Sequence, residues 1–150
     1  MSEMVKDVLN QTKFIVFQLA DKEYAIPVNQ VRSIEKLQHI TRVPGTVDFV
    51  EGVINLRGVV TPIVDMRKRF LLPEAAYTES TRIIIVAFNE MEVGFIVDAA
   101  NDVLDLSADS IEPQPDVVGA IEAEYISSVA KLEKRLLILV HLEKVLNPID

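Results

Sequence analysis

The strongest constraint on the fold of this chain is that it carries the same pattern twice. With Thr12 laid over Thr81, residues 14–19 and 24–28 fall on residues 83–88 and 93–97 without a gap. Each pair is two short runs rich in Val, Ile and Phe, separated by turn formers, Ala20-Asp21-Lys22-Glu23 in one and Asn89-Glu90-Met91-Glu92 in the other. Such runs at such spacing predict β-hairpins. The match continues through residues 28–37 on 97–106. It resumes with Phe49 over Tyr125, which places Pro62-Ile63-Val64-Asp65 on Ile138-Leu139-Val140-His141. The second offset is seven residues longer, and the Pro- and acid-rich stretch 111–124 is the expected place for the extra length.

An internal duplication of this kind predicts an all-β domain over residues 1–150. Its first half spans about 12–70, its second 81–147, with a connector at 71–80 that holds Pro73 and small or polar residues. Each half reads as about five short strands, enough for a small barrel. A unit of roughly 60 residues has a poor ratio of volume to surface, so the halves are expected to share buried surface and fold together. Whether they exchange strands is left open by the pattern.

Composition narrows the partners. A net charge of −8 repels phosphate backbones and anionic lipid, which argues against nucleic acid and membrane surfaces. Arg67-Lys68-Arg69 is the one strong basic run and reads as a solvated strand end. The absence of Cys removes disulfides, thiolate metal sites and cysteine nucleophiles. The first residues lack the basic-then-apolar design of a signal peptide, and runs 83–88 and 136–140 are far short of a bilayer span. A cytoplasmic protein without membrane insertion is expected, and the sequon Asn10-Gln11-Thr12 reads as a chance match.

Catalytic chemistry finds little support. The five glycines are scattered and form no phosphate-binding loop, and no serine sits in a GxSxG elbow. Of the two histidines, His39 and His141, the second ends an apolar strand and reads as a satisfied structural residue. Asp98, Asp102, Asp105 and Asp109 lack the order of a calcium loop and read as the solvated acidic face of a helix or turn. Asp21 and Glu23 read as hairpin-turn residues. No enzyme, cofactor or metal is expected; an unrecognised hydrolase using His141 ranks last.

The repeat supplies an internal control. Leu56 has its counterpart in Leu132, which suits a core position, whereas Asn55, Arg57 and Gly58 face Lys131, Glu133 and Lys134. The turn as a fold element therefore does not require the first set. Gly58 is explained by a positive φ. For Arg57 there are two readings, a solvated turn charge or an interface anchor whose guanidinium offers five donors and a flat face.

Residues 52–67, Gly-Val-Ile-Asn-Leu-Arg-Gly-Val-Val-Thr-Pro-Ile-Val-Asp-Met-Arg, closely resemble the signature of the CheW family of chemotaxis coupling proteins. The resemblance extends to Tyr24-Ala25-Ile26-Pro27-Val28, to Val97-Asp98 with Asp102-Val103-Leu104, and to Leu137-Ile138-Leu139-Val140. It implies two five-stranded SH3-like barrels packed side by side. It also implies a non-catalytic adaptor that joins the regulatory domain of the histidine kinase CheA to the cytoplasmic tip of chemoreceptors, in arrays at the inner face of the membrane. Carried over by position, it implies receptor binding by Asn55, Arg57 and Gly58, with Val31, Ile34 and Val103 as apolar walls. Thr41, Arg42, Val43, Pro44 and Gly52 become the implied kinase contacts. Ser33 and Ala99 depart from the family pattern, which often has an acid and a Gly there. The alternative is a regulatory protein-binding or small-ligand-binding barrel module outside chemotaxis.

Overall fold

Four two-residue turns set the hairpins of the computed structural model, which describes residues 11–113 and 125–146. Strands β1 (Gln11–Leu19) and β2 (Lys22–Pro27) meet at Ala20-Asp21, and β6 (Arg82–Phe88) and β7 (Met91–Val97) meet at Asn89-Glu90. These turns are two residues shorter than the sequence suggests, because Lys22-Glu23 and Met91-Glu92 join the ladders. Positive φ values at Ala20 (56°), Asn89 (48°) and Glu90 (65°) give the local twist that closes a tight hairpin. The remaining strands are β3 (Val31–Lys36), β4 (Val50–Leu56), β5 (Val59–Asp65), β8 (Ala99–Ser107), β9 (Ile111–Pro113), β10 (Ile126–Leu132) and β11 (Arg135–Val140). Single-turn helices α1 (Met66–Arg69) and α2 (Leu142–Leu146) follow β5 and β11. Most of the stretch expected to hold the additional residues, 114–124, lies outside the described residues, as does Asn10 of the sequon.

The strands form two sheets, ordered β3-β6-β7-β5-β4 and β8-β1-β2-β11-β10-β9. We refer to these as barrels I and II; both are SH3-like. Apart from β9 the orders are identical under the repeat, but each barrel draws on both halves of the chain. The opening hairpin of each half sits with the last strands of the other. Parallel pairs make the graft, with Ala25 against Leu139 in barrel II and Gly94 against Ile63 in barrel I. Register shifts recur at matching places, between Val50 and Gly52 and between Ile126 and Ser128.

Burial explains why the central strands are apolar on both faces. Phe14, Val16, Ala25, Leu106, Ala130, Leu137 and Leu139 fill barrel II, while Ile54, Leu56, Ile63, Ile83, Ile85 and Ile96 fill barrel I. The alternating residues, Ile15 and Phe17 on β1 and Ile84 and Val86 on β6, point instead into a third core between the barrels. That shared core is the largest of the three. A run of aromatic contacts crosses it: Phe17 on Tyr24 at 5.7 Å, Tyr24 on Phe70 at 5.5 Å and Phe70 on Tyr125 at 5.3 Å between ring centres. Where the exchanged strands enter, only a small residue fits. A Cβ on Gly94 would stand 2.7 Å from Ile63 Cδ1 and from Ile83 Cγ2, and its counterpart Ala25 is fully buried.

Charges expected at the surface are instead spent on this junction. The basic run is helical, not a strand end, and Asp65 caps it by accepting from the Arg67 and Lys68 backbone N–H groups. Arg67 donates to both carboxylate oxygens of Asp98, at 2.9 and 2.6 Å, and Lys68 pairs with Glu51. Arg69 donates to the Val145 carbonyl at 2.6 Å and lies 4.1 Å over the Phe49 ring and 4.7 Å over that of Tyr125. The acids Asp102, Asp105 and Asp109 are exposed, as expected, but only Asp109 lies in a helical turn, and Asp98 is partly buried. Asp102 and Asp105 lie on strand β8 and pair with Arg135 and Lys13, and Asp98 also accepts from the Ala20 N–H. Glu23 is a strand residue paired with Arg135. Each partner lies far along the chain, out of reach of any local pattern.

Candidate partner-binding surface

The turn between β4 and β5 is held by its own sequence. Leu56 faces Val59 across the ladder, and the two residues between them take left-handed backbone, Arg57 at φ 52° and Gly58 at φ 85°. Two successive positive φ values define the primed turn that matches strand twist. A Cβ on Gly58 would meet nothing within 4 Å, so glycine serves there through its φ and not through lack of space. Asn55 completes the turn, its Oδ1 accepting from the Gly58 N–H at 2.9 Å. At the matching turn of barrel II neither Glu133 nor Lys134 is among the positive-φ residues, and no Gly is needed.

Leu56 is buried, whereas the Arg57 side chain is 71% exposed. Its guanidinium reaches back over β3, with Nη2 3.8 Å from Glu35 Oε2. Ile34, the neighbour of Glu35 on this edge strand, is 41% exposed on the opposite face, and Val59 and Val60, which follow the turn, are also exposed. Val31 packs against the shared core. Val103 is exposed on β8, the edge strand of barrel II, and no described hydrogen bond or ion pair joins it to the turn.

The second set of residues lies on a different part of barrel I. Thr41 forms a bridge with Val53, two backbone hydrogen bonds of 2.8 Å, and Gly52 beside it has φ 154°. A Cβ at Gly52 would fall 2.1 Å from the Thr41 carbonyl oxygen, so the Gly lets loop and strand touch. Gly52 is buried, while Thr41, Arg42, Val43 and Pro44 are exposed. Residues 42–48 line a cleft of about 380 Å³ with Glu51 and Lys68. Glu51 and Lys68 also line an adjoining cleft with Asp65 and Tyr77. Partial burial first, then the negative charge of Asp65, Glu51 and Glu74, pushes the Tyr77 hydroxyl up to about 12. Burial likewise raises the Asp65 carboxyl against the hydrogen bonds of the α1 cap.

Sequence reasoning did not single out Glu35, Val59 or Tyr77. The signal available was the repeat, which sets Glu35 against Leu104 and Val59 against Arg135. No group of three or more His, Cys, Asp or Glu among the described residues could hold a metal. His141 departs from the expected satisfied histidine. Its backbone is bonded, its N–H to the Tyr125 carbonyl at 2.7 Å, but its Nδ1 is buried without a hydrogen-bond partner.

A pair of barrels, with side chains the fold does not require gathered on exposed turns and loops of one of them, defines a binding module. The comparisons say which kind. A model of the CheW-like domain matches residues 13–149. The chain is 49% identical over 144 residues to the chemotaxis protein CheW of Bacillus subtilis, covering 96% of this chain and 92% of that one. It is 38% identical over 146 residues to the CheW of Klebsiella aerogenes, covering 97% and 87%. The crystal structure of the scaffolding protein TtCheW from Thermoanaerobacter tengcongensis superposes with a TM-score of 0.84 at 34% identity, over 91% and 92% of the two chains. The chain belongs to the CheW family.

Proposed function

We propose that this chain is a non-catalytic chemotaxis adaptor that joins the regulatory domain of the kinase CheA to the helical cytoplasmic tip of chemoreceptors, at arrays on the inner face of the membrane. Relatives named for chemotaxis and a structural neighbour described as a scaffold support the adaptor role. The observation that carries the reading is the asymmetry of the turns. Two equivalent hairpins exist, and only one has an Asn-capped, left-handed tip with an exposed Arg.

In this reading Asn55, Arg57 and Gly58 meet the receptor, with Ile34, Val31 and Val103 as apolar contacts. Thr41, Arg42, Val43 and Pro44 meet the kinase, and Gly52 supports that loop from beneath. The turn 55–58 and the loop 41–44 lie on different parts of barrel I, with Val103 on the edge strand of barrel II, as an adaptor with two simultaneous partners requires. Among the described residues no helix is long and apolar enough to cross a membrane, so recruitment to arrays falls to the protein partners.

The test is co-sedimentation of the purified chain with receptor signalling fragments and CheA. Arg57→Glu is expected to weaken receptor association at least tenfold, as reversal of an interface Arg does, with CheA binding and the thermal midpoint unchanged. Unimpaired receptor association by the variant would remove the site assignment, and failure of the unaltered chain to bring down either partner would remove the adaptor reading.

A further inference from the structure

The two barrels close their mouths differently. In barrel II, Arg135 at the start of β11 donates to Glu23 at 3.0 and 2.8 Å and to Asp102 at 3.0 Å, fastening β11 to β2 and across to the edge strand β8. The repeat sets Val59 where Arg135 stands and Ser33 where Asp102 stands. Barrel I therefore lacks this clasp. Val59 is 51% exposed, and the Ser33 Oγ is buried without a hydrogen-bond partner.

An acid and an Arg recur in barrel I, each displaced by two residues. Glu35 lies two positions beyond Ser33 on β3, and Arg57 two positions before Val59 at the hairpin tip. The shift of two keeps Glu35 on the same face of β3 as Ser33, while it takes Arg57 out of the ladder and onto the left-handed tip of the hairpin. The displaced pair is looser, 3.8 Å against 2.8 Å, and its Arg is 71% exposed against 31% for Arg135. At 3.8 Å Arg57 is steered by charge without being committed to a hydrogen bond. Most of its five donors stay open to a carboxylate or carbonyl of a partner.

We propose that Glu35 is a positioning residue: it holds the Arg57 guanidinium over the mouth of barrel I, ready to donate to acceptor groups of a docked receptor helix. The inference rests on the receptor reading of the turn. It differs from that reading in assigning a role to a residue on another strand that acts through Arg57. The left-handed backbone fixes where the Arg57 side chain leaves the turn, and Glu35 selects the direction in which that long, flexible chain points. Less rotamer freedom then remains to be lost on docking.

A double-mutant cycle measures the coupling, using a soluble receptor fragment that spans the cytoplasmic hairpin tip. Glu35→Gln is expected to weaken binding about fivefold, the upper range for an exposed ion pair, with the thermal midpoint unchanged. The same substitution added to Arg57→Ala is expected to cause no further loss. Glu35→Asp, which keeps the charge on a shorter arm, should recover most of the affinity. Glu23→Gln, which loosens the clasp of barrel II, should lower the midpoint and leave receptor affinity alone. Wild-type affinity in Glu35→Gln, or a loss that adds in full to that of Arg57→Ala, overturns the positioning role while leaving the receptor site standing. Wild-type affinity in Arg57→Ala itself overturns both.

Discussion

Barrel I and barrel II are built from the same strand order, yet they differ in where their polar residues work. In barrel II the mouth is fastened by Arg135, Glu23 and Asp102, and the hairpin tip Glu133-Lys134 has ordinary backbone. In barrel I the mouth is unfastened, and the tip spends a Gly, an Asn cap and a left-handed Arg on its shape. The second difference concerns the helix starts. Asp65 caps α1, whereas its counterpart His141 precedes α2 with a ring nitrogen unpartnered. Barrel II thus fastens its mouth where barrel I exposes an Arg, while barrel I caps its helix where barrel II leaves a ring nitrogen unpartnered.

The comparison is broken most severely by changes in what the barrels share. Phe17→Ala removes a fully buried ring from the core between them and is expected to cost about 3–5 kcal/mol. Because each barrel contains strands of both halves, calorimetry should show one transition moving to lower temperature. Two separated transitions would show that the barrels unfold independently.

A smaller effect is expected where the exchanged strands enter. Gly94→Ala places a methyl against Ile63 and Ile83 and should cost about 1–3 kcal/mol. Ala25→Gly, the reverse change in barrel II, should cost about 1 kcal/mol through chain entropy. Urea denaturation of the two variants compares the grafts directly, and equal costs would mean that the barrel I graft is no tighter.

The smallest change is one of pH dependence. Burial works against ionisation of Asp98, but hydrogen bonds from Arg67 and the Ala20 N–H outweigh it and hold the carboxyl below its ordinary 3.8. A lowered folded value stabilises the protein above the unfolded value, and that contribution disappears as pH falls through the folded value. Asp98→Asn should therefore be less stable than wild type at pH 7, with the gap closing below about pH 4. Thermal midpoints across pH 2–7 would show it, and a constant gap would mean that Asp98 acts without its charge.

Much of this was legible because strands and turns are local. Runs such as Ile83-Ile84-Ile85-Val86 read as hairpin strands, and Gly58 reads as a positive φ, because each signal lies within a few residues. The origin of each barrel's strands was not legible. An opening hairpin fits its own half and the other half equally well when both halves carry one pattern, so alternation cannot choose between them. Nor could the basic run be read correctly, since Arg67 finds Asp98 thirty-one positions away and Arg69 finds the end of α2. Glu35 escaped notice for the same reason: its partner lies across the mouth of the barrel on another hairpin.

The exchange of hairpins has a consequence for ancestry. A free-standing product of one half would carry both an opening hairpin and closing strands, and two such products trading hairpins would reproduce the strand order seen here. The chain is in effect a domain-swapped dimer with its two subunits tied end to end. Because the copies are separate stretches of one chain they can differ in sequence, and the turn of barrel I differs from that of barrel II while both barrels keep the exchange.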